Sequence, residues 1–243
     1  MGASVEMDPA QEMYQDSSLL SNLKFSTVNQ PLSGYILITE NINIDHVLRI
    51  LGDVTFIADI PVELNWEYIR GQGFSGALFN FSGGGTLTLG RPGMSGSITI
   101  NGTYDADGAL IGLHDGTLVM HDRVTLRGNN STIEAVDGPG GVFVSPSGTF
   151  IMYGGTISGN SAFYGGGVVI YQYGRMFMHG GTISGNIAHN NGGGVFVVHN
   201  NDYFPRAVRG RLLCTAGVFT TTTPPPAVGC LFKMGQRLIV VAG

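Results

Sequence analysis

The sequence contains little charge and almost no cysteine. Asp, Glu, Lys and Arg together make up 12% of the 243 residues, whereas an average domain has about 25%. The formal net charge of −5 and the scattered basic residues offer no patch for nucleic acid or an anionic membrane. Cys214 and Cys230 are the only cysteines, too few for a disulfide framework and wrongly spaced for a zinc site.

The sequence also lacks the segments that carry a chain into or across a membrane. No run of eighteen apolar residues occurs, so no transmembrane helix is predicted. Residues Met1–Gln11 lack the basic start and the apolar core of a secretory signal. The missing signal does not place the protein in the cytosol. Disorder is not predicted either, because 43% of the residues are apolar.

Glycine, in contrast, is abundant, with 39 residues, and it marks a repeat. Between positions 141 and 200 one sequence unit occurs nearly twice, and the start of a third copy follows. The motif that begins at Gly154 therefore recurs at Gly180. Its segments are Gly141–Val144, Gly148–Tyr153 and Gly154–Asn160, then Gly167–Ile170, Gly174–His179 and Gly180–Asn186, and finally Gly194–Val197. A fixed period of this size predicts stacked units rather than a globule.

Degenerate copies of the unit extend back to Gly76. The second strand of each copy begins with glycine, at Gly85, Gly116, Gly148 and Gly174, and the wider spacing of the first three shows that the early copies carry longer loops. Because side chains alternate along a strand, these strands predict two inward columns. The columns are Leu87, Leu118, Phe150 and Met176, and Leu89, Met120, Met152 and Met178.

Asparagine and glycine mark the predicted corners. The third apolar strand of each copy ends at an asparagine, which tolerates left-handed backbone and can hydrogen-bond to its own turn. Asparagines stacked in register can form an amide ladder, and glycine pairs precede the third strand in the last two copies. The predicted structural residues are Asn101, Asn129, Asn160, Asn186, Gly154, Gly155, Gly180 and Gly181.

Three short strands per turn, repeated with a period of about 26–32 residues, predict an all-β parallel solenoid. An antiparallel sandwich would also place turns every 8 to 12 residues or so. The sandwich does not explain why Gly-Gly-Thr-Ile-Ser-Gly-Asn, which begins at Gly154, returns unchanged at Gly180.

The motif Gly-Gly-Thr-Ile-Ser-Gly-Asn followed by Gly-Gly-Gly-Val resembles the rung motif of bacterial right-handed parallel β-helix surface proteins. Such proteins are similar to pectate-lyase-like folds and adhesin-type passenger domains. The resemblance is strong over 140–200, weaker over 76–139 and only general over 35–75. It implies a right-handed parallel β-helix and an extracellular or cell-surface setting. It implies no particular activity, because one fold hosts many functions.

Three regions are predicted along the chain. Residues 1–29 form an N-terminal capping segment, with a short helix over 8–24 that begins at Asp8 and Pro9. Residues 30–202 form the β-helix, interrupted by a longer loop over 61–75. Residues 203–243 form an irregular C-terminal tail, in which the repeat stops and the composition changes.

Two interpretations of the tail remain open. One is a flexible linker. The other is an out-of-frame reading, in which each codon takes the third base of one residue and the first two bases of the next. Leu213–Thr221 then permit Met-Tyr-Gly-Gly-Ser-Ile-Tyr-Asn, and Pro226–Phe232 permit Gly-Gly-Gly-Val-Phe-Val. These nearly match the amino-acid sequences of Met152–Asn160 and Gly192–Val197. On this hypothesis the tail from residue 205 is a shifted reading of further units, and both cysteines are incidental.

Residues with acid, base or metal chemistry form no predicted site. Asp105, Asp107 and Asp115 are the nearest approach to a calcium cluster, although Asp–Gly pairs are also ordinary turn residues. The polar run at positions 121–123 is explained equally well by an outward loop. Arg175 is the only charged residue between positions 141 and 200, so the best-formed units contain no carboxylate pair for glycoside hydrolysis. No catalytic, cofactor-binding or metal-binding residue is predicted.

Outward aromatic side chains are the remaining signal. Phe143, Val169 and Phe196 are predicted on one outer surface, and a second row pairs Tyr153 with His179. Such rows can stack on sugar rings or contact another protein, or they can lie under loops. The candidate ligand-facing residues are Asp105, Asp107, Tyr153, Tyr171 and Tyr173.

The sequence therefore predicts a non-catalytic structural or adhesive module of a bacterial cell-surface or secreted protein. The expected partners are glycans or other surface proteins, and the end of the last unit is a candidate surface for association. No nucleic-acid partner is expected. The alternative is a carbohydrate-binding or polysaccharide-degrading β-helix, with its site in the long-looped copies 61–137.

Overall fold

All regular structure in the described part of the chain is β-strand. The computed structural model describes residues 32–67, 76–81, 83–132, 138–198, 211–214, 218–221 and 238–240. The predicted helix over 8–24, together with the whole capping segment 1–29, lies outside these residues. Within the described residues, no helix has the length and apolarity needed to cross a membrane.

The strands are short and follow one another closely. In chain order they are β1 (Leu32–Leu37), β2 (Ile42–Ile44), β3 (Leu48–Ile57), β4 (Pro61–Trp66), β5 (Phe79–Phe81), β6 (Thr86–Leu89), β7 (Ser97–Asn101), β8 (Ile111–Leu113), β9 (Thr117–Met120), β10 (Val124–Arg127), β11 (Val142–Val144), β12 (Thr149–Met152), β13 (Thr156–Ser158), β14 (Ser161–Tyr164), β15 (Val168–Ile170), β16 (Arg175–Met178), β17 (Thr182–Asn191), β18 (Val195–Val197), β19 (Arg211–Cys214), β20 (Val218–Thr221) and β21 (Leu238–Val240).

These strands form a 13-stranded sheet and an 8-stranded sheet. In the larger sheet, β3 pairs with β5 through Leu48–Ile50 and with β6 through Val54–Phe56, so β3 joins two arms. Arm A contains β5, β8, β11, β15 and β18, and arm B contains β6, β9, β12, β16 and β19. The smaller sheet, sheet C, contains β2, β4, β7, β10, β13, β14, β17 and β20.

The chain visits arm A, arm B and sheet C in turn and then returns to arm A one strand further on. For example, β8, β9 and β10 are followed by β11, β12 and β13, each beside its predecessor. Each strand re-enters its sheet in the same direction, so the pairs are parallel; the described exception is β19 with β21. The prediction of an all-β fold of parallel strands is confirmed at this level.

The inward columns of arm B have the predicted register. Leu118 lies between Leu87 and Phe150, and Phe150 lies opposite Met176. All four side chains are buried, as are the four of the second column. They belong to one continuous core that also receives the inward side chains of arm A and sheet C. We call one passage through arm A, arm B and sheet C a coil. Burying each such side chain contributes about 1.5–3 kcal/mol, and that gain requires a neighbouring coil.

The stacked strands extend further towards the N-terminus than the sequence motif does. The prediction of a longer loop over 61–75 is wrong for residues 61–66, which form β4. Val62, Leu64 and Trp66 alternate into the core, and Pro61 stands at the first strand position, where proline is tolerated. Residues 68–75 lie outside the described part of the chain.

Three strands lie within residues 203–243, where an irregular tail is predicted. β19 pairs in parallel with β16, and β20 pairs in parallel with β17. β21 pairs antiparallel with β19. Backbone segments of the tail therefore continue arm B and sheet C by one strand each.

We expect the coding DNA to decide between the two interpretations of the tail. In the observed register Cys214 lies opposite Met178, Phe219 opposite Ile183 and Thr221 opposite Asn186. The shifted frame permits methionine, isoleucine and asparagine at these three places. Sequencing codons 195–243 is expected to show an open shifted frame that spells the unit motif. A stop codon in that frame, or a different text, would reject the hypothesis.

Candidate functional site

Three asparagines form a buried ladder, each two residues beyond one of Arg127, Ser158 and Ser184, which lie opposite one another in sheet C. Asn129, Asn160 and Asn186 are completely buried. The Asn160 Nδ2 donates to Asn186 Oδ1 at 3.0 Å and to the Leu126 carbonyl at 3.3 Å. The backbone N–H of Asn129 donates to Asn160 Oδ1 at 3.1 Å, and the backbone N–H of Asn160 donates to Asn186 Oδ1 at 3.0 Å. The buried ladder thus satisfies backbone groups that would otherwise lack partners at the corner.

Asn101, the fourth predicted corner asparagine, lies outside the buried ladder. The register of β7 and β10 places it opposite Arg127, two residues before Asn129. Asn101 is the last residue of β7 and follows the outward Ser97 and Thr99 in the alternation of that strand. Its side chain is therefore half-exposed on the outer surface of sheet C, away from the corner.

Asn101 instead belongs to a polar row that crosses four strands. Asn43 on β2, Asn65 on β4, Asn101 on β7 and Arg127 on β10 lie opposite one another, and we call them the amide row. The Asn65 Nδ2 donates to Asn43 Oδ1 at 3.1 Å, and the Asn101 Nδ2 donates to Asn65 Oδ1 at 2.7 Å. The Arg127 Nε donates to Asn101 Oδ1 at 2.7 Å. Each member thus orients the next.

Two glutamates flank the amide row. Glu63 Oε2 accepts from Asn101 Nδ2 at 3.1 Å, and Glu63 Oε1 lies 3.4 Å from Arg127 Nη2. Glu67 accepts a hydrogen bond from Asn43 Nδ2 at the other end. The Arg127 and Glu63 side chains are 50% and 44% exposed, and such an exposed ion pair contributes only about 0–1 kcal/mol. The row is therefore well ordered without being a large source of stability.

Sequence reasoning missed the amide row, although a signal was present. Asparagine is depleted in strands, yet it stands between apolar residues in Ile42–Ile44 and again in Leu64–Trp66. A third asparagine follows Ile100. Three outward asparagines on successive strands of one sheet are a recognisable pattern once β4 is identified as a strand.

Tyr153 lies in a stack of three rings that crosses three coils. Its ring centroid is 5.3 Å from that of His121 and 5.2 Å from that of His179, with interplanar angles of 14° and 17°. We call these three residues the ring stack. Both faces of the Tyr153 ring are covered by imidazoles, although the residue as a whole is 50% exposed. A sugar ring therefore has no free tyrosine face to stack on at this position.

The ring stack predicts a pH-dependent stability. Burial lowers the pKa of His121 from 6.5, and the neighbouring Asp122 carboxylate opposes this by raising it. A depressed folded-state pKa means that the unfolded chain binds the proton first as the pH falls. The stability contributed by neutral His121 is therefore present above about pH 6.5 and is lost as the pH falls through the lower folded-state pKa.

We expect urea denaturation at a series of pH values to show that the wild type loses stability as the pH falls. His121→Gln should lose less stability over the same range. His189→Gln, at an exposed position, is the matched control and should behave like the wild type. An identical pH dependence in His121→Gln and the wild type would contradict the assignment.

The other candidate ligand-facing tyrosines lie elsewhere. Tyr171 packs against Phe143, with ring centroids 6.3 Å apart. Tyr173 is 50% exposed and has a positive φ of 64°, in the turn before β16. Tyr153 follows β12 and lies across from the residue after β16, so Tyr153 and Tyr173 lie at opposite ends of the arm B strands. The structure does not bring these three tyrosines into one site.

Asp105 and Asp107 are half-exposed and flank the buried Ala106. The Ala106 backbone N–H donates to the Asn130 carbonyl at 2.9 Å, which holds this loop against the next coil. Asp115 Oδ1 accepts from the Gly83 backbone N–H at 3.2 Å. No three His, Cys, Asp or Glu side chains in the described residues are grouped closely enough to hold a metal ion.

The outer surface of arm A is covered along β8, β11 and β15, whereas Phe196 on β18 is half-exposed. Phe143 and Val169 are 6% and 0% exposed, and they form a second apolar cluster with Ala77 and Ala109. The outward aromatic row predicted at Phe143 and Val169 is therefore not available to a ligand. Strands that are buried on both faces, as β8, β11 and β15 are, are usual in parallel sheets.

The predicted glycine pairs lie at the corner between arm B and sheet C. A Cβ on Gly154 would overlap the Asp122 carboxylate, and a Cβ on Gly180 would overlap the Tyr153 carbonyl. Gly155 and Gly181, the second members of the pairs, have φ values of 85° and 92°. All four glycines therefore allow one coil to approach the next closely beneath the ring stack.

Comparisons of the chain with protein-family models, with curated proteins and with solved structures found no match.

Proposed function

We propose that the chain is a right-handed parallel β-helix that serves as a non-catalytic structural and adhesive module of a bacterial cell-surface or secreted protein. The observation that carries the proposal is the in-register stacking of the coils. The inward columns and the buried ladder repeat from coil to coil, so the fold extends one scaffold in one direction. Such a scaffold can display binding surfaces and hold them at fixed distances from one another.

Two experiments test this function. Cells that produce the protein should carry it on the surface or release it, which surface labelling with an antibody and fractionation will show. Purified protein should release no reducing ends from a panel of acidic and neutral polysaccharides. Cleavage that is abolished by Asp105→Asn or Asp107→Asn would overturn the non-catalytic assignment.

A second candidate is a carbohydrate-active β-helix with its site within residues 61–137. The observation that favours it is the Glu63–Arg127 pair beside Asn101, which places a carboxylate, a guanidinium and an amide together on one outer surface. A glycan array separates binding from no interaction, and a reducing-sugar assay separates binding from cleavage. Cleavage that is lost in Glu63→Gln would favour this candidate over the first.

A further inference from the structure

The outer surface of sheet C is polar over six successive coils. Two outward columns run across its strands in register. One column is Glu63, Thr99, Thr125, Thr156 and Thr182, and the other is the amide row continued by Ser158 and Ser184. With strands about 4.8 Å apart, six strands span about 24 Å. In contrast, the outward column Val119, Ile151 and Phe177 on arm B is apolar and half-exposed.

The amide row presents a fixed pattern of donors and acceptors. A carboxamide has two N–H donors and two acceptor sites. The Asn65 amide uses one donor towards Asn43 and one acceptor site towards Asn101, which leaves one of each for a ligand. The bonds at both ends of the row fix the side-chain rotamers, so a ligand would lose little affinity to the ordering of these groups.

Strand preference alone does not account for the residue types of the row. Threonine and valine are preferred at half-exposed strand positions, whereas asparagine is depleted there. The neighbouring column uses threonine four times in succession, so this sheet accepts threonine without difficulty. The asparagines of β2, β4 and β7 therefore point to a requirement for amide chemistry on the outer surface.

The charges select among ligand classes. Arg127 is paired with Glu63, and Glu67 adds a second carboxylate at the other end of the row. This balance gives the two columns no unpaired cation for an acidic polymer. The same two columns contain no aromatic or aliphatic side chain, whereas the core of a protein interface is enriched in such groups. A flat array of amides and hydroxyls matches a ligand whose own groups are mostly uncharged hydroxyls.

We infer that the outer surface of sheet C binds a neutral polysaccharide chain that lies across the strands, with Asn43, Asn65 and Asn101 as its central contacts. The inference rests on the proposed adhesive function and names the class of its partner. The Asn43 and Asn65 amides hydrogen-bond to sugar hydroxyls as donor and acceptor. The Asn101 amide acts as acceptor only, because its two N–H groups donate to Glu63 and Asn65. The threonine column and the two serines extend the contact towards β17.

Affinity gel electrophoresis with soluble polysaccharides tests the inference. The neutral probes are amylose, xylan, galactomannan and hydroxyethyl cellulose, and the acidic probes are polygalacturonate and alginate. The wild type is expected to be retarded by at least one neutral probe and by neither acidic one. Asn65→Thr/Asn101→Thr should weaken that binding about tenfold or more. Because threonine suits a strand, this variant should unfold at the urea concentration of the wild type or above it.

The matched control is Thr117→Val/Thr149→Val on the outer surface of arm B, which should bind like the wild type. Unchanged binding in the asparagine variant, preference for an acidic probe, or no retardation by any probe would overturn the inference. Attachment of the protein to cells or to a protein ligand without polysaccharide binding would remove the inference and leave the adhesive function standing. The absence of every attachment would remove both.

Discussion

Replacing Asn160 with alanine is expected to lower the free energy of unfolding by about 3 kcal/mol. The change leaves the buried backbone N–H of Asn129 without its acceptor and removes the amide–amide bond to Asn186. A buried polar group without a partner costs about 1–3 kcal/mol, and a lost hydrogen bond costs about 1 kcal/mol more. Asn160 also lies in the middle of the buried ladder, so both neighbours are affected. Urea denaturation followed by circular dichroism measures the shift in midpoint.

Asn101→Ala is the matched control for this experiment. It removes an asparagine of the same repeat pattern, but one whose amide is half-exposed and can be replaced by water. Its expected cost is below about 1 kcal/mol, as for most surface substitutions. Equal losses in the two variants would show that burial of the amide does not determine its contribution.

The core of arm B could be predicted because it depends on local rules alone. A strand places alternate side chains on one side, and a repeat places equivalent residues in one column. Leu118, Phe150 and Met176 follow from these two rules, and their observed register agrees. The corner asparagines of the later coils follow in the same way, because Asn160 and Asn186 are one period apart.

Other features depend on contacts that the repeat does not encode. Asn101 lies opposite Arg127 rather than opposite the corner asparagine of the next coil, and this offset places it on the outer surface. Phe143 alternates outward, yet it is buried because a second apolar cluster covers arm A. Asn65 falls within the predicted loop over 61–75, although residues 61–66 form β4. For Asn101 and Phe143 the outcome depends on loop length or on what packs outside the sheet.

The three outer surfaces therefore differ in chemistry around one shared core. Arm A is covered by apolar contacts at Phe143 and Val169. Arm B has an apolar outward column at Val119, Ile151 and Phe177, and sheet C remains polar along its two outward columns. The core columns are shared by all three, so substitutions on the outer surface of sheet C leave the core contacts unchanged. For this reason the test of the proposed polysaccharide binding can use Asn65→Thr/Asn101→Thr, in which threonine suits the strand and the core is unchanged.

Gly155→Ala is expected to destabilise the fold by roughly 2–5 kcal/mol. This is more than the cost of the same substitution at a glycine of positive φ where the added Cβ meets no other atom. Gly155 has φ 85°, and a Cβ there would lie 2.6 Å from the Val124 carbonyl oxygen and 2.7 Å from Met120 Cε. The left-handed backbone costs alanine about 1–2 kcal/mol, and the overpacking adds about 1–3 kcal/mol. Because the Val124 oxygen is backbone, the coil itself must shift.

Gly159→Ala separates these two contributions. Gly159 has φ 64° in the same coil, and a Cβ there would meet nothing within 4 Å. Only the backbone term of about 1–2 kcal/mol applies to it, so its denaturation midpoint should fall less than that of Gly155→Ala. If the two variants lost equal stability, close approach between coils would not limit the residue at 155. The larger loss at Gly155 would show that the spacing of the coils depends on a position without a side chain.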